Sequence, residues 1–246
     1  MMRRVWITGA SSGIGRAVAL EMAAKGYQLI ISGRNQDALE SLAAQTGAFC
    51  LPFDATDRQA NLDAARMLMN QFGSVDIVFF NAGSCEYVDV HQFYSQIFER
   101  MIQVNFLSMV YGVEAVLPLL RAAPNPQLVG MSSSVAYLGL PRSEAYGASK
   151  AATRNFLQGL RLSLWRENIR VSIVLPGFIK TPLTDKNDFP MPYLVSSELA
   201  AKKIVAGIEK RKLDITVPVI FVWILKLISF LPSSLSVLMI NKWVVR

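Results

Sequence analysis

The sequence predicts an α/β fold, a doubly wound parallel sheet in three layers with an apolar helical extension at its C-terminal end. Three observations predict it. Short apolar runs alternate with longer amphipathic stretches, the runs are apolar on both faces, and a glycine cluster follows the first run. Strands apolar on both faces belong in a parallel sheet covered by helices on each side, and strand–helix alternation implies right-handed crossovers.

The strands are read at Val5–Thr8, Gln28–Ile31, Phe49–Phe53, Val75–Phe80, Gln127–Met131 and Val171–Leu175. The helices between them are read at Ile14–Lys25, Gln36–Gln45, Arg58–Phe72, His91–Leu120 and Ala145–Glu167. Thr56 with Gln59 has the spacing of a capping box at the third helix. A chain of 246 residues, 52% apolar, supplies core enough for one domain. Residues 1–218 are assigned to that domain and 219–246 to the apolar extension.

The totals narrow the chemistry. The net charge is +7, but the basic residues are scattered with no long run, which speaks against nucleic acid as a partner. Cys50, Cys85 and the lone His91 form no ligand cluster, so no metal is expected. Few thiols and no signal-peptide pattern at the start lead to a cytoplasmic expectation, with a position peripheral to a membrane as the variant.

The first strand runs into Thr8-Gly9-Ala10-Ser11-Ser12-Gly13-Ile14-Gly15. Glycines after a strand permit a tight turn and close backbone approach to a pyrophosphate, and the helix that opens there offers its free N–H groups to the charge. The predicted sheet is therefore Rossmann-type and binds a dinucleotide. The second strand ends in Ser32-Gly33-Arg34-Asn35, with no acid to hold a ribose 2′-hydroxyl and with an arginine suited to a 2′-phosphate. NADP(H) is expected over NAD(H).

Tyr146 and Lys150 stand one turn apart at the start of a helical stretch, so phenol and ammonium share a face. A tyrosine is a poor base at neutral pH, and a nearby cation favours its phenolate. Such a pair can pass a proton to or from an alcohol oxygen. Ser132-Ser133-Ser134, after the fifth strand, puts hydroxyls near it.

These motifs together resemble the short-chain dehydrogenase/reductase family in its short single-domain branch. They are TGASSGIG at 8–15, Asp54-Ala55, Asn81-Ala82-Gly83, Asn105, the serines, YGASK at 146–150, and Pro176-Gly177 followed by Thr181, in order over roughly residues 5–182. The resemblance implies interconversion of a carbonyl and a secondary alcohol by hydride transfer, with Tyr146 as the acid. It gives Lys150 the nicotinamide ribose and the lowering of the phenol pKa, and Asn105 a relay water. Ser133 takes the place of the family serine by its distance from the tyrosine, with Ser134 as the alternative. Gly9, Ser11, Ser12, Gly13, Ile14 and Gly15 would line the phosphate end. Asp54 and Ala55 would border the adenine, and Asn81, Ala82 and Gly83 would run along the cofactor. Pro176, Gly177, Ile179 and Thr181 would close over the nicotinamide. Asn105 as a locally bonded helix residue and Asp54 as a turn residue are the competing readings.

The substrate side is read at Leu183–Ser197, whose Phe189, Met191 and Tyr193 suit a small, apolar carbonyl compound or a mobile lid. Cys85 is read as a packed thiol, or else as facing the pocket. Val217–Leu231 is shorter than a membrane span; with Trp223, Lys226, Lys242 and Trp243 it suits a membrane surface, a homo-oligomer interface or a flap over the site. Three rivals remain beside the reductase: a non-catalytic NADP-binding sensor, an epimerase or dehydratase, and a lipid-surface protein.

Overall fold

The computed structural model describes residues 2–244, with side chains through Lys242; Trp243 as a membrane anchor lies outside the described side chains. In chain order the elements are Arg4–Thr8 (β1), Gly13–Ala24 (α1), Gln28–Ser32 (β2), Gln36–Thr46 (α2), Phe49–Cys50 (β3), Arg58–Phe72 (α3) and Ile77–Phe80 (β4). Ser95–Ile102 (α4), a π-helical turn at Gln103–Leu107, Ser108–Arg121 (α5), Gln127–Met131 (β5), a 3-10 turn at Ser134–Tyr137 and Glu144–Ser163 (α6) follow. The chain continues through a 3-10 turn at Trp165–Glu167, Arg170–Pro176 (β6), Ile179–Lys180 (β7), a 3-10 turn at Thr184–Lys186 and Val195–Ser196 (β8). It ends with Ser197–Glu209 (α7), Asp214–Val217 (β9), Val219–Ile228 (α8) and Ser233–Val244 (α9).

Seven parallel strands are ordered β3-β2-β1-β4-β5-β6-β9, and β7 with β8 makes a small separate pair. Side chains alternate across the sheet, as the period of a strand requires. Val5 and Ile7 of β1 face Val18, Met22 and Ile204 of α1 and α7 on one side. Trp6 faces the other, with Ala65, Leu68, Val116 and Leu157 of α3, α5 and α6. Helices thus cover both faces, and the expected three-layer Rossmann-type fold is what the chain adopts. Trp6 meets its one polar need by donating Nε1–H to Ser32 Oγ at 2.8 Å. The sequence order of the strands reverses between β1 and β4, so the loops at their carboxyl ends splay apart and leave a crevice.

Several local expectations are corrected. The helix expected over His91–Leu120 begins only at Ser95, because Asp89 takes the N–H of His91 and accepts that of Gln92 in a turn. It is then interrupted by the π-turn. The run Ser95–Arg121 is long and apolar enough to cross a bilayer, yet Met101, Val116, Leu119 and Leu120 are buried, as in a core helix. Asp57 rather than Thr56 caps α3, accepting from Ala60 N–H, while Thr56 is drawn back by Asp54. The strand expected at Phe49–Phe53 is regular only to Cys50, although Leu51 and Phe53 N–H still reach Ile31 and Gly33 carbonyls. The helix expected to Glu167 stops at Ser163 and tightens into a 3-10 turn. A seventh strand, β9, hides at the head of the apolar run that continues into α8.

Candidate active site

The crevice is a cleft of about 500 Å³ along the carboxyl edge of the sheet. Gly9, Ser11, Ser12, Gly13 and Ile14 line one end, Arg34, Asp54 and Ala55 the flank, Asn81, Ala82 and Gly83 the floor, and Tyr146, Lys150, Pro176 and Thr181 the far end. The remaining expected residues stand behind this lining. A Cβ on Gly15 would lie 2.3 Å from Gly9 O, so this glycine packs under the loop. Gly177 backs onto Phe221, Ile179 is buried, and Asn105 and Ser133 lie beneath the surface.

The glycine loop is shaped for close approach. Gly9 has φ +65°, and a Cβ there would sit 2.7 Å from the Ala82 backbone. Asn81 fixes the loop from below by donating Nδ2–H to the Thr8 and Gly9 carbonyls at 3.2 and 2.9 Å. Thr8 Oγ1 in turn accepts from the N–H of Asn81 and Ala82. Asn81 is therefore a positioning residue, and Thr8 one that the sequence reading missed.

Arg34 is exposed at the flank with no ion pair among the described residues. Asp54 lies near enough to feel its charge. Partial burial pushes the Asp54 carboxyl up, but hydrogen bonds from Thr56 N–H and hydroxyl, with Arg34, outweigh it and hold the group below the usual carboxylate range. Asp54 is thus a turn residue that also faces the cleft.

At the far end, α6 brings Tyr146 and Lys150 to one face. Lys150 Nζ is 5.8 Å from the centre of the Tyr146 ring and donates to Met131 O at 3.1 Å. Ser132, the first of the serine cluster, donates Oγ–H to Lys150 O at 2.9 Å. Burial pushes the Tyr146 phenol well above its usual range; the Cys85 thiol adds to this and the Ser133 hydroxyl opposes it. Burial pushes the Lys150 ammonium down to about 8. Loss of water around the phenolate is the largest influence on the phenol. Ser133 caps the 3-10 turn, its hydroxyl accepting Val135 N–H and donating to Pro176 O, and Ser134 begins that turn; both are buried.

Asn105 sits in the π-turn and is fully buried. Its Oδ1 accepts Ser84 N–H at 2.9 Å, and its Nδ2 donates to Ser84 O and to Ser149 Oγ. Ser149, a second residue given no role from the sequence, donates to Tyr146 O at 2.7 Å, so Asn105 is tied to the tyrosine's own turn. A π-turn inside a helix is a frequent mark of a functional position. A Cβ on Gly83 would come within 2.8 Å of Asn105 Oδ1 and 3.3 Å of Lys150 Nζ. Only glycine fits between them.

Cys85 is partly buried, next to Tyr146, Lys150 and Tyr87, and burial pushes its thiol up to about 11, so it stays protonated at neutral pH. On the substrate side, Phe189 packs edge-on against Tyr87 at 5.6 Å and beside Phe178 at 6.0 Å; Phe178 packs against Phe221 of α8 at 5.2 Å. Tyr193 reaches the same Phe221, and Arg142 binds Asp188 at 2.7 Å. The segment 183–197 is thus braced by an aromatic ladder rather than hanging free.

A glycine loop on the first helix, a cleft at the strand-order switch and a Tyr–Lys pair at its end define a dinucleotide-binding oxidoreductase domain. The family model for short chain dehydrogenases matches residues 3–190, and the chain belongs to that family. It is 33% identical over 221 residues to an uncharacterized oxidoreductase of Myxococcus xanthus, covering 88% of this chain and 87% of the relative. The fold is similar to that of a short-chain dehydrogenase of Sphingobium yanoikuyae in complex with NADPH (TM-score 0.79, 27% identity, 89% of each chain). It is equally similar to a short-chain dehydrogenase of Streptomyces avermitilis (TM-score 0.79, 26% identity, 88% of each chain).

Proposed function

We propose that this chain is an NADP(H)-dependent oxidoreductase that interconverts a carbonyl and a secondary alcohol, with Tyr146 as its acid and base. The observation that carries the reading is that the glycine loop, Arg34, Tyr146 and Lys150 all line one continuous cleft. The fit to the nucleotide is tested by the loop: Gly9 and Gly13 both have positive φ and no Cβ to fill the phosphate cradle. The exposed Arg34 guanidinium suits a 2′-phosphate, and the NADPH complex of the Sphingobium relative supports the same choice. When bound, the nicotinamide supplies or accepts the hydride.

The chain's own residues handle the proton. Burial keeps the Tyr146 phenol protonated at neutral pH, which suits a donor to the carbonyl oxygen in reduction. The Ser133 hydroxyl beside it would hold that oxygen by a hydrogen bond. Once the phenol has given up its proton, the Lys150 ammonium, fixed by Met131 O, stabilises the phenolate. Ser149 and Asn105 hold the tyrosine's turn in register. The aromatic cluster of Tyr87, Phe178 and Phe189, stacked on the segment read as the substrate side, favours an apolar carbonyl compound. The test is NADPH absorbance with carbonyl compounds from small ketones to long-chain and steroid-like ones. Oxidation dependent on an added carbonyl is expected; NADPH binding with no turnover on any of them contradicts the reading and leaves a binding protein.

A further inference from the structure

The helix α8 is apolar on two opposite sides. Phe221, Val222, Leu225 and Ile228 are buried, Val222 in the sheet's own core and Phe221 against Gly177 and Phe178. Ile220, Trp223, Leu227 and, just beyond the helix, Phe230 form a second stripe at spacings of three and four, and they are 60%, 51%, 61% and 75% exposed. Leu235, Val237, Leu238 and Met239 of α9 are exposed as well. Large apolar groups crowded on two successive helices mark an interaction surface.

The charge pattern says what covers it. After Asp214 the chain has no acidic residue at all; Lys226, Lys242 and Arg246 are its only charges. A second copy of this face would bring like charges together, whereas anionic lipid headgroups complement them. Lys226 lies over the Trp223 ring at 4.8 Å, an aromatic and a cation side by side as at a membrane–water boundary. The helices α8 and α9, at about 15 and 18 Å by their rise, are too short to cross a hydrocarbon layer of about 30 Å. They suit lying in its surface.

We infer that α8 and α9 dock this protein on the surface of an anionic phospholipid bilayer, with the stripe Ile220, Trp223, Leu227 and Phe230 inserted among the headgroups. Phe221, on the opposite side of α8, packs against Phe178 and against Tyr193 of the substrate segment, so α8 lies between that segment and the lipid. The inference does not depend on the oxidoreductase reading.

The test is co-sedimentation of the full chain with vesicles of phosphatidylcholine alone or in equal parts with phosphatidylglycerol, at low and high salt. Binding to the anionic vesicles, weakened by salt, is expected. The double variant Trp223→Glu/Phe230→Glu, whose side chains are exposed, is expected to lose at least about tenfold in binding while its circular dichroism and thermal midpoint stay near those of the parent. Three results would overturn the inference: a parent chain left in the supernatant with both vesicles, a double variant that binds as the parent does, or a parent that forms dimers dissolved by the double substitution and ignores vesicles.

Discussion

Lys150 Nζ lies 5.8 Å from the centre of the Tyr146 ring, one turn further along the same helix, with the lysine buried and the tyrosine half-buried at the cleft. Burial acts on them in opposite directions, holding the phenol protonated and loosening the proton of the ammonium. The pair is ready to donate a proton before it is ready to accept one.

Alkaline pH should separate these two effects. With an ammonium pushed down to about 8, carbonyl reduction should fall as pH rises through that value, because the neutral amine no longer stabilises the phenolate. Stability should move the other way. The unfolded lysine keeps its proton up to 10.5 and the folded one only to about 8, so from about pH 8 to 9 the unfolded chain binds the extra proton and stability rises with pH; above 9 the Cys85 thiol, which the fold holds protonated to about 11, offsets that rise. Rate profiles and denaturant unfolding across the window check both; a flat rate profile contradicts the first.

Lys150→Met should trade function for stability. It removes the cost of a buried charge and keeps the volume, so the fold should gain about 1–3 kcal/mol at neutral pH while turnover is lost. Loss of the bond to Met131 O works against the gain. Urea unfolding beside an NADPH assay decides; a destabilised variant contradicts the assignment of the burial cost.

Arg34→Ala should erase the cofactor preference. The guanidinium is exposed at the cleft's flank with only the partial company of Asp54. Its removal should lower the NADPH-to-NADH ratio of kcat/KM by at least about tenfold, the scale of one charge-assisted contact of roughly 1.5–3 kcal/mol. An unchanged ratio contradicts the 2′-phosphate role.

Gly83→Ala should disturb the site from below. The new methyl would press on Asn105 Oδ1 and Lys150 Nζ. Stability should fall by about 1–3 kcal/mol and turnover by more than that loss alone explains. Denaturation and initial rates together check it; wild-type values in both contradict the packing.

What was legible in the sequence was what short-range chemistry dictates. The order of strands and helices, the glycine loop and the Tyr146–Lys150 spacing are local patterns, and the fold bears out the sheet they imply. What was hidden depends on partners distant in sequence. The π-turn at Gln103–Leu107 leaves the apolar periodicity nearly intact, so His91–Leu120 reads as one helix. Ser149 touches Asn105 across 44 positions, and Ser132 and Thr8 act through backbone groups that carry no side-chain signal. A polar residue three after Tyr146, inside the same motif, was the one available hint of Ser149. β9 was lost because Val217 joins an apolar run that Pro218 divides only in space. The spacing of Tyr146 and Lys150 reveals the cation beside the phenol but not the loss of water that acts on it.

The most direct test of the central claim is Tyr146→Phe, assayed for both NADPH binding and carbonyl reduction. Only the phenolic hydroxyl is removed, so turnover should fall by about 10²–10⁴-fold while NADPH affinity, read by fluorescence, stays within about threefold of the parent. Retained turnover with any accepted carbonyl would contradict the assignment of Tyr146 as the acid.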